Sequence, residues 1–180
     1  MNTFTPVDGS HLSKEGKNYE ITSLMSLNEK LVGRIRGRSC ADGFGQRGKS
    51  EKEDTASPTV ATEIIFITSA IDAHERRDVA TIDTTGAFLH ADSYEHIFMV
   101  LKGKLDILIC NVDKKLNRKY IIFDKRGKNV LYVKMLKALY GMLRSALLFY
   151  RKLVKDLLNT DLKRTHTVIV FLTVLTMENN

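Results

Sequence analysis

The chain has 180 residues, a length that suits one ordinary domain or a piece of a larger protein. With 43% hydrophobic and 27% charged residues, its composition is that of a globular protein and excludes a disordered or fibrous chain. The formal net charge is +7 and the pI is about 9.4. This charge favours an acidic partner, with nucleic acid first and an anionic membrane surface second.

The two cysteines, Cys40 and Cys110, lie in neither a CxxC nor a Cys/His metal spacing. The sequence therefore predicts neither a disulfide framework nor a structural zinc site, and it favours a reducing compartment. Residues 1–20 lack the apolar core of a signal peptide, and the apolar run VIVFLTVL is too short for a membrane-spanning helix. We expect a soluble, intracellular and cytoplasmic protein with no membrane partner.

The first elements in chain order are a lead-in and a hairpin. Residues 1–20 are predicted to be poorly ordered, and residues 21–48 predict two short strands around a turn near Asn28 to Gly33. The second strand carries arginines at a spacing of two, which places their side chains on one face of the strand. These arginines are Arg34, Arg36 and Arg38.

A glycine-rich, charged loop follows, and then a helix. Ser57 suits the cap of this helix and Pro58 suits its first position. The helical spacing predicts one apolar stripe, which consists of Val60, Ile64, Ile67 and Ile71.

The second half predicts further strands and one more helix. Residues 78–83 predict a strand, and a short helical turn after them leads to a strand at residues 97–100. Residues 119–133 predict a hairpin with its turn at residues 124–128, and a helix falls within residues 141–158. This order of strands and helices indicates an α+β domain with a partly antiparallel sheet.

Asp83 stands at the end of the predicted strand, followed by small residues and then Phe88. Hard divalent cations bind carboxylates on a rigid support, and phosphoryl-transfer enzymes use such acids to hold two metal ions. An aspartate that caps the following turn explains the same position. On the residues alone, both interpretations of Asp83 remain open.

Two further features have both a functional and a structural interpretation. Arg36 and Arg38 can hold a triphosphate through charge-assisted hydrogen bonds, or they can form a solvated strand face. Gly141 permits close approach of backbone, base or ligand before a helix, or it only completes a turn. The histidines are scattered, and His90 is predicted to be a surface residue and not a metal ligand.

The order of these segments closely resembles the reverse transcriptase region of copia-type retrotransposon polyproteins. The resemblance covers residues 2–158 and depends on IRGRSCADGFGQRG, ASPTVATEIIFITSAIDAHERRDVATIDTTGAFLHA and LYVKMLKALYGMLRSALLFYRKLVKDL. These stretches are similar to the family's basic fingers strand with its glycine-containing loop, to its SP-initiated helix before D-x-x-x-A-F-L, and to its K-A-L-Y-G-L motif.

The resemblance implies the partial fingers and palm of a right-hand polymerase, and it implies roles for the site residues. Asp83 matches the first catalytic aspartate, a ligand of both magnesium ions, and Phe88 matches the ring that disfavours a 2′-hydroxyl on the incoming sugar. Arg36 and Arg38 resemble the strand that neutralises the triphosphate, while Gly141 resembles the glycine that lines template and nucleotide. The implied partners are an RNA or DNA template–primer and a dNTP, within a larger polyprotein.

The sequence also departs from the family's pattern. Arg144 and Ala146 stand where many members have Gln and Pro, and no Asp-Asp pair follows to supply the family's aromatic-x-Asp-Asp hairpin. We therefore expect an incomplete palm sheet, a fingers–palm fragment at residues 21–158, and a divergent or frameshifted tail at residues 159–180.

Two-metal nucleotide addition needs several carboxylates that converge on the ions. We therefore expect a truncated RNA-directed DNA polymerase fragment with little or no activity as an isolated chain. Two alternatives stay open: a non-catalytic basic module that binds nucleic acid, and a chain that never folds stably because its strand edges lack partners.

Overall fold

The computed structural model describes residues 2–12, 20–31, 33–47, 55–79, 82–94, 96–103, 108–109, 111–113 and 117–159. The strands are β1 (Phe4–Val7), β2 (Glu20–Glu29), β3 (Ile35–Asp42), β4 (Phe98–Lys102), β5 (Ile121–Phe123) and β6 (Asn129–Met135). The helices are α1 (Thr62–His74) and α2 (Ser145–Leu158), and short 3-10 helices span Gly43–Gln46, Ala87–His90 and Arg118–Tyr120. The predicted α+β class is confirmed.

The six strands form one mixed sheet in the order β1-β6-β4-β2-β3, with β5 also paired to β6. Both β1 and β5 lie along the edge of β6 that faces away from β4, because each overlaps the β6 residues that pair with β4. Only the β2–β4 pair is parallel among the described strands. The sheet is therefore partly antiparallel, as predicted.

Strand β1 belongs to the segment that the sequence predicts to be a poorly ordered lead-in. It pairs with β6 from Phe4 opposite Met135 to Val7 opposite Tyr132. The carbonyl of Thr3 also accepts hydrogen bonds from the N–H groups of Leu136 and Lys137. This part of the lead-in is thus integrated into the sheet, while residues 13–19 lie outside the described residues.

The hairpin of β2 and β3 confirms the prediction for residues 21–48, although its strands have 10 and 8 residues and are not short. Its turn is closed by the N–H of Lys30, which donates to the carbonyl of Arg34 at 2.9 Å. Only residues 20–22 of β2 pair with β4, so the rest of the hairpin extends beyond the body of the sheet.

Alternate residues of the strands supply one apolar face, as expected for a sheet covered on that side. This core is formed by Ile21, Ala41, Ile97, Met99, Leu101, Leu131, Val133, Met135, Leu139 and Met142. A second, smaller cluster joins the 3-10 helix at Ala87–His90 to α2, and it consists of Phe88, Ala91, Ala138 and Phe149. The segment after β6 contributes to both clusters, so it connects the sheet to α2.

Helix α1 begins later than predicted. Its first residue is Thr62, its N-cap is the extended Ala61, and the hydroxyl of Ser57 is buried without a hydrogen-bond partner. The β-branched residues Thr59 and Val60 favour extended backbone, which accounts for the later start. The prediction that Ser57 and Pro58 open the helix is wrong.

The apolar stripe predicted for α1 does not join the core. No residue of α1 is buried, and Ile67 and Ile71 are exposed.

The strand predicted at residues 78–83 is also wrong at its described positions, because 78–79 and 82–83 are irregular and no strand of the sheet pairs with them. An apolar extended segment becomes a strand only when a neighbour accepts its hydrogen bonds.

The remaining predictions for the second half are confirmed where residues are described. Strand β4 overlaps the strand predicted at residues 97–100. Strands β5 and β6 form the predicted hairpin with its turn at residues 124–128. Helix α2 lies within residues 141–158.

No helix in the described part of the chain is long and apolar enough to cross a membrane. Residues 160–180, most of the predicted tail, lie outside the described residues.

The end of β3 lies against the turn that contains Gly141. The N–H of Ala41 donates to the carbonyl of Tyr140 at 2.7 Å. Gly141 has a φ of +89°, and a Cβ there would overlap the carbonyl oxygen of Ala41. A Cβ on Gly43 would likewise overlap the carbonyl oxygen of Gly141. The missing side chains thus let the two backbones approach each other directly.

This contact predicts a large cost for Gly141→Ala, measured as the free energy of unfolding in urea. Gly127→Ala is the matched control, because Gly127 has a φ of +71° and no atom within 4 Å of an added Cβ. We expect the control to lose about 1–2 kcal/mol from the left-handed backbone alone. Gly141→Ala should lose a further ~1–3 kcal/mol from overpacking. Equal losses in the two variants would contradict the close approach.

Candidate functional site

The site begins where the arginine strand ends. The 3-10 helix at Gly43–Gln46 follows β3 directly, and Asp42 caps it by accepting from the N–H of Phe44 at 3.1 Å. The side-chain oxygen of Gln46 then accepts from the N–H of Leu143 at 2.9 Å. The loop after β3 is therefore attached to the Gly141 turn by a side chain as well as by backbone contact.

Phe88 lies next to the same turn. It follows Gly86, whose φ of +64° allows the tight entry into the 3-10 helix. The Phe88 ring is 8% exposed, and its centroid lies 4.4 Å from that of Tyr140 and 6.2 Å from that of Phe149. The structure thus brings Phe88 and Gly141 together through the intervening Tyr140.

Arg36 and Arg38 are exposed on β3, opposite the polar Asn28 and Ser26 of β2. At a rise of about 3.3 Å per residue, Arg38 lies about 10 Å along the strand from Ala41. Because side chains alternate along a strand, both arginines leave the sheet on the face opposite to the Ala41 side chain. The basic face of β3 is therefore the face away from the Ala41 side chain, and only the end of the strand contacts the Gly141 turn.

Asp83 is exposed in the irregular segment before Gly86. Among the described residues, no group of three or more His, Cys, Asp or Glu side chains is placed to hold a metal ion. The described donors therefore do not form a magnesium site around Asp83. His90 is exposed as predicted, and its Nε2 lies 3.2 Å from the carbonyl oxygen of Thr85.

A second basic surface lies at the turn between β5 and β6. One carboxylate oxygen of Asp124 accepts from the N–H groups of Arg126 at 2.7 Å and Lys128 at 2.9 Å. The hydrogen bond from Lys128, opposed in part by desolvation, holds the pKa of Asp124 below its ordinary value. The turn thereby presents the exposed side chains of Lys125, Arg126 and Lys128.

Sequence reasoning missed three residues that connect this site: Ala41, Gln46 and Tyr140. Tyr140 precedes Gly141 in the quoted ALYG stretch, so it was a visible candidate. Gln46 lies in a loop 97 residues from its partner, and no local pattern reports such a contact.

A sequence profile of the family described as "Reverse transcriptase (RNA-dependent DNA polymerase)" matches residues 22–177, well over half of the chain. The chain belongs to the reverse transcriptase family. No curated relative and no solved structure matches it. In this reverse transcriptase chain the matched region includes every predicted site residue, excludes β1, and continues past Leu158.

The bond from Gln46 predicts a specific stability difference. Gln46→Ala leaves the N–H of Leu143 without its acceptor, and we expect a loss of about 1 kcal/mol in the free energy of unfolding. Hydrogen exchange at the Leu143 amide should accelerate in the same variant. Gln46→Glu is the control, since it keeps an oxygen at the same position. An unchanged exchange rate in Gln46→Ala would show that the bond does not protect this amide.

Proposed function

We propose that the chain provides the fingers and part of the palm of a copia-type RNA-directed DNA polymerase, normally within a larger polyprotein. In the family's reaction the 3′-hydroxyl of a primer attacks the α-phosphate of a dNTP, and pyrophosphate leaves. The observation that carries the proposal is the contact between the end of β3 and the Tyr140–Gly141 turn, together with the packing of Tyr140 on Phe88, within the matched region.

The chemistry of these residues fits a nucleotide. The guanidinium groups of Arg36 and Arg38 would neutralise the triphosphate through charge-assisted hydrogen bonds. The ring of Phe88 would leave no room for a 2′-hydroxyl, because it is packed against two other rings and cannot easily withdraw. The space that a Gly141 side chain would occupy is filled by the backbone of Ala41, so Gly141 would line template and nucleotide through the exposed backbone of its turn.

Magnesium is the metal that the family uses, and Asp83 would supply one carboxylate to it. The described residues bring no second and third donor to Asp83, and the sequence contains no Asp-Asp pair. In the described part of the chain the donors do not make a two-metal site, which needs several carboxylates. We therefore propose that the isolated chain binds substrates but has little or no polymerase activity.

A second candidate function is a non-catalytic module that binds nucleic acid through charge alone. The net charge of +7 and the exposed turn at residues 124–128 favour it. This function needs neither Phe88 nor Asp83, so the two candidates differ in whether a nucleotide is recognised.

Primer extension tests the catalytic part of the proposal. With poly(rA) annealed to oligo(dT), dTTP and magnesium, we expect synthesis at the background level. Asp83→Ala should then change nothing, and neither should Asp78→Ala, a control in the same exposed segment. Robust synthesis that Asp83→Ala abolishes and Asp78→Ala leaves intact would contradict the proposed inactivity.

Two paired variants separate the candidate functions. Replacing both Arg36 and Arg38 by Gln should weaken dTTP binding, whereas replacing both Lys125 and Arg126 by Gln should leave it unchanged. The logarithm of the affinity for the template–primer should fall linearly with the logarithm of the salt concentration. Each phosphate contact that a variant removes should lower the magnitude of this slope by about 0.9. Binding of duplex without any dTTP binding would favour the non-catalytic module.

A further inference from the structure

Tyr140 contacts both halves of the proposed nucleotide site. Its carbonyl accepts the hydrogen bond from Ala41 at the end of β3, and its ring packs on Phe88. The next residue, Gly141, lies directly against the backbone of Ala41. The backbone of Tyr140 is therefore held from the side of the arginine strand, while its side chain reaches the ring proposed to face the sugar.

The three rings differ in exposure. Phe149, on α2, is 6% exposed and Phe88 is 8% exposed, whereas Tyr140 is 41% exposed. The centroid distance of 4.4 Å between Phe88 and Tyr140, with planes inclined at 46°, is a close ring contact, and the Phe88–Phe149 contact is edge-on at 6.2 Å. Phe88 thus contacts a buried ring and a half-exposed ring, and Tyr140 is the ring of the three most accessible to a ligand.

This exposure has a consequence for any sugar that reaches Phe88. A ring with little free surface excludes a hydroxyl only if its neighbours keep it from tilting away. Phe149 shares a buried cluster with Phe88, whereas the half-exposed Tyr140 makes the shorter of the two ring contacts to Phe88. Loss of the Tyr140 ring would therefore remove the shorter of these two ring contacts to Phe88.

We propose that Tyr140 is a specificity-determining positioning residue, whose ring fixes Phe88 where it excludes a 2′-hydroxyl. This inference rests on the proposed function, because it requires that the site bind a nucleotide. The contact is made by the ring, so the phenol oxygen is not needed and phenylalanine should replace tyrosine. Without the ring, Phe88 gains room to tilt and a ribonucleotide fits.

The test measures binding of dGTP and of GTP to the full chain with poly(rC) annealed to oligo(dG) and magnesium. The unmodified chain should prefer dGTP. Tyr140→Ala should lower the ratio of the two affinities by about tenfold, the lower end of discrimination by an apolar pocket. Tyr140→Phe should keep the ratio within about twofold, since the ring contact is retained. Tyr140→Leu fills the space without a ring and serves if Tyr140→Ala does not fold.

The outcomes separate this inference from the function on which it rests. A ratio that falls in Tyr140→Ala or Tyr140→Leu and is restored in Tyr140→Phe supports it. If both affinities fall equally and the ratio stays constant, Tyr140 has only a structural role and the inference is wrong, although the proposed function stands. If Phe88→Ala changes the ratio but neither Tyr140→Ala nor Tyr140→Leu does, the inference is also wrong. If the unmodified chain binds neither nucleotide, the proposed function itself fails.

Discussion

The direct backbone contact between Ala41 and the Tyr140–Gly141 turn is the constraint on which the arrangement of the site depends. The β2–β3 hairpin pairs with the rest of the sheet only through residues 20–22, and Ala41 lies opposite Ser23, next to this paired end. The contact at Ala41 fixes the point where β3 leaves the sheet. Any side chain at position 141 would push the strands and the turn apart.

The same contact organises the elements on either side of it. The Gln46 side chain accepts a hydrogen bond from Leu143, just before α2. The Tyr140 ring packs on Phe88, which in turn contacts Phe149 on α2. Residues that are distant in the sequence thus meet because one turn lacks a side chain. A rigid support of this kind is what a precise binding site requires.

The sequence predicted those elements whose determinants are local. The β2–β3 and β5–β6 hairpins follow from alternating strands around turn residues, and α2 follows from its helical periodicity. The strand order could not be predicted, because pairing of β1 with β6 depends on contacts across more than a hundred residues. The strand expected at residues 78–83 failed for a related reason, since its pattern does not reveal whether a neighbouring strand exists.

The site was predicted through the resemblance more than through the residues themselves. Taken singly, Phe88 and Gly141 have ordinary structural explanations, and the structure adds that Tyr140 joins them. The roles of all five predicted site residues remain predictions, because neither the packing nor the family match tests which side chain binds a nucleotide or a metal ion. Tyr140 lies within the family motif, but its proposed role in positioning Phe88 follows only from the ring contact between them. The spacing of residues in the sequence does not predict that contact.

The most direct test of a nucleotide site at this turn is a map of where a nucleotide binds. In ¹⁵N–¹H NMR spectra of the chain with template–primer and magnesium, adding the matching dNTP should shift the amide signals of Ala41, Tyr140 and Gly141 most. Shifts confined to the turn at residues 124–128, or no shifts at all, would contradict the account.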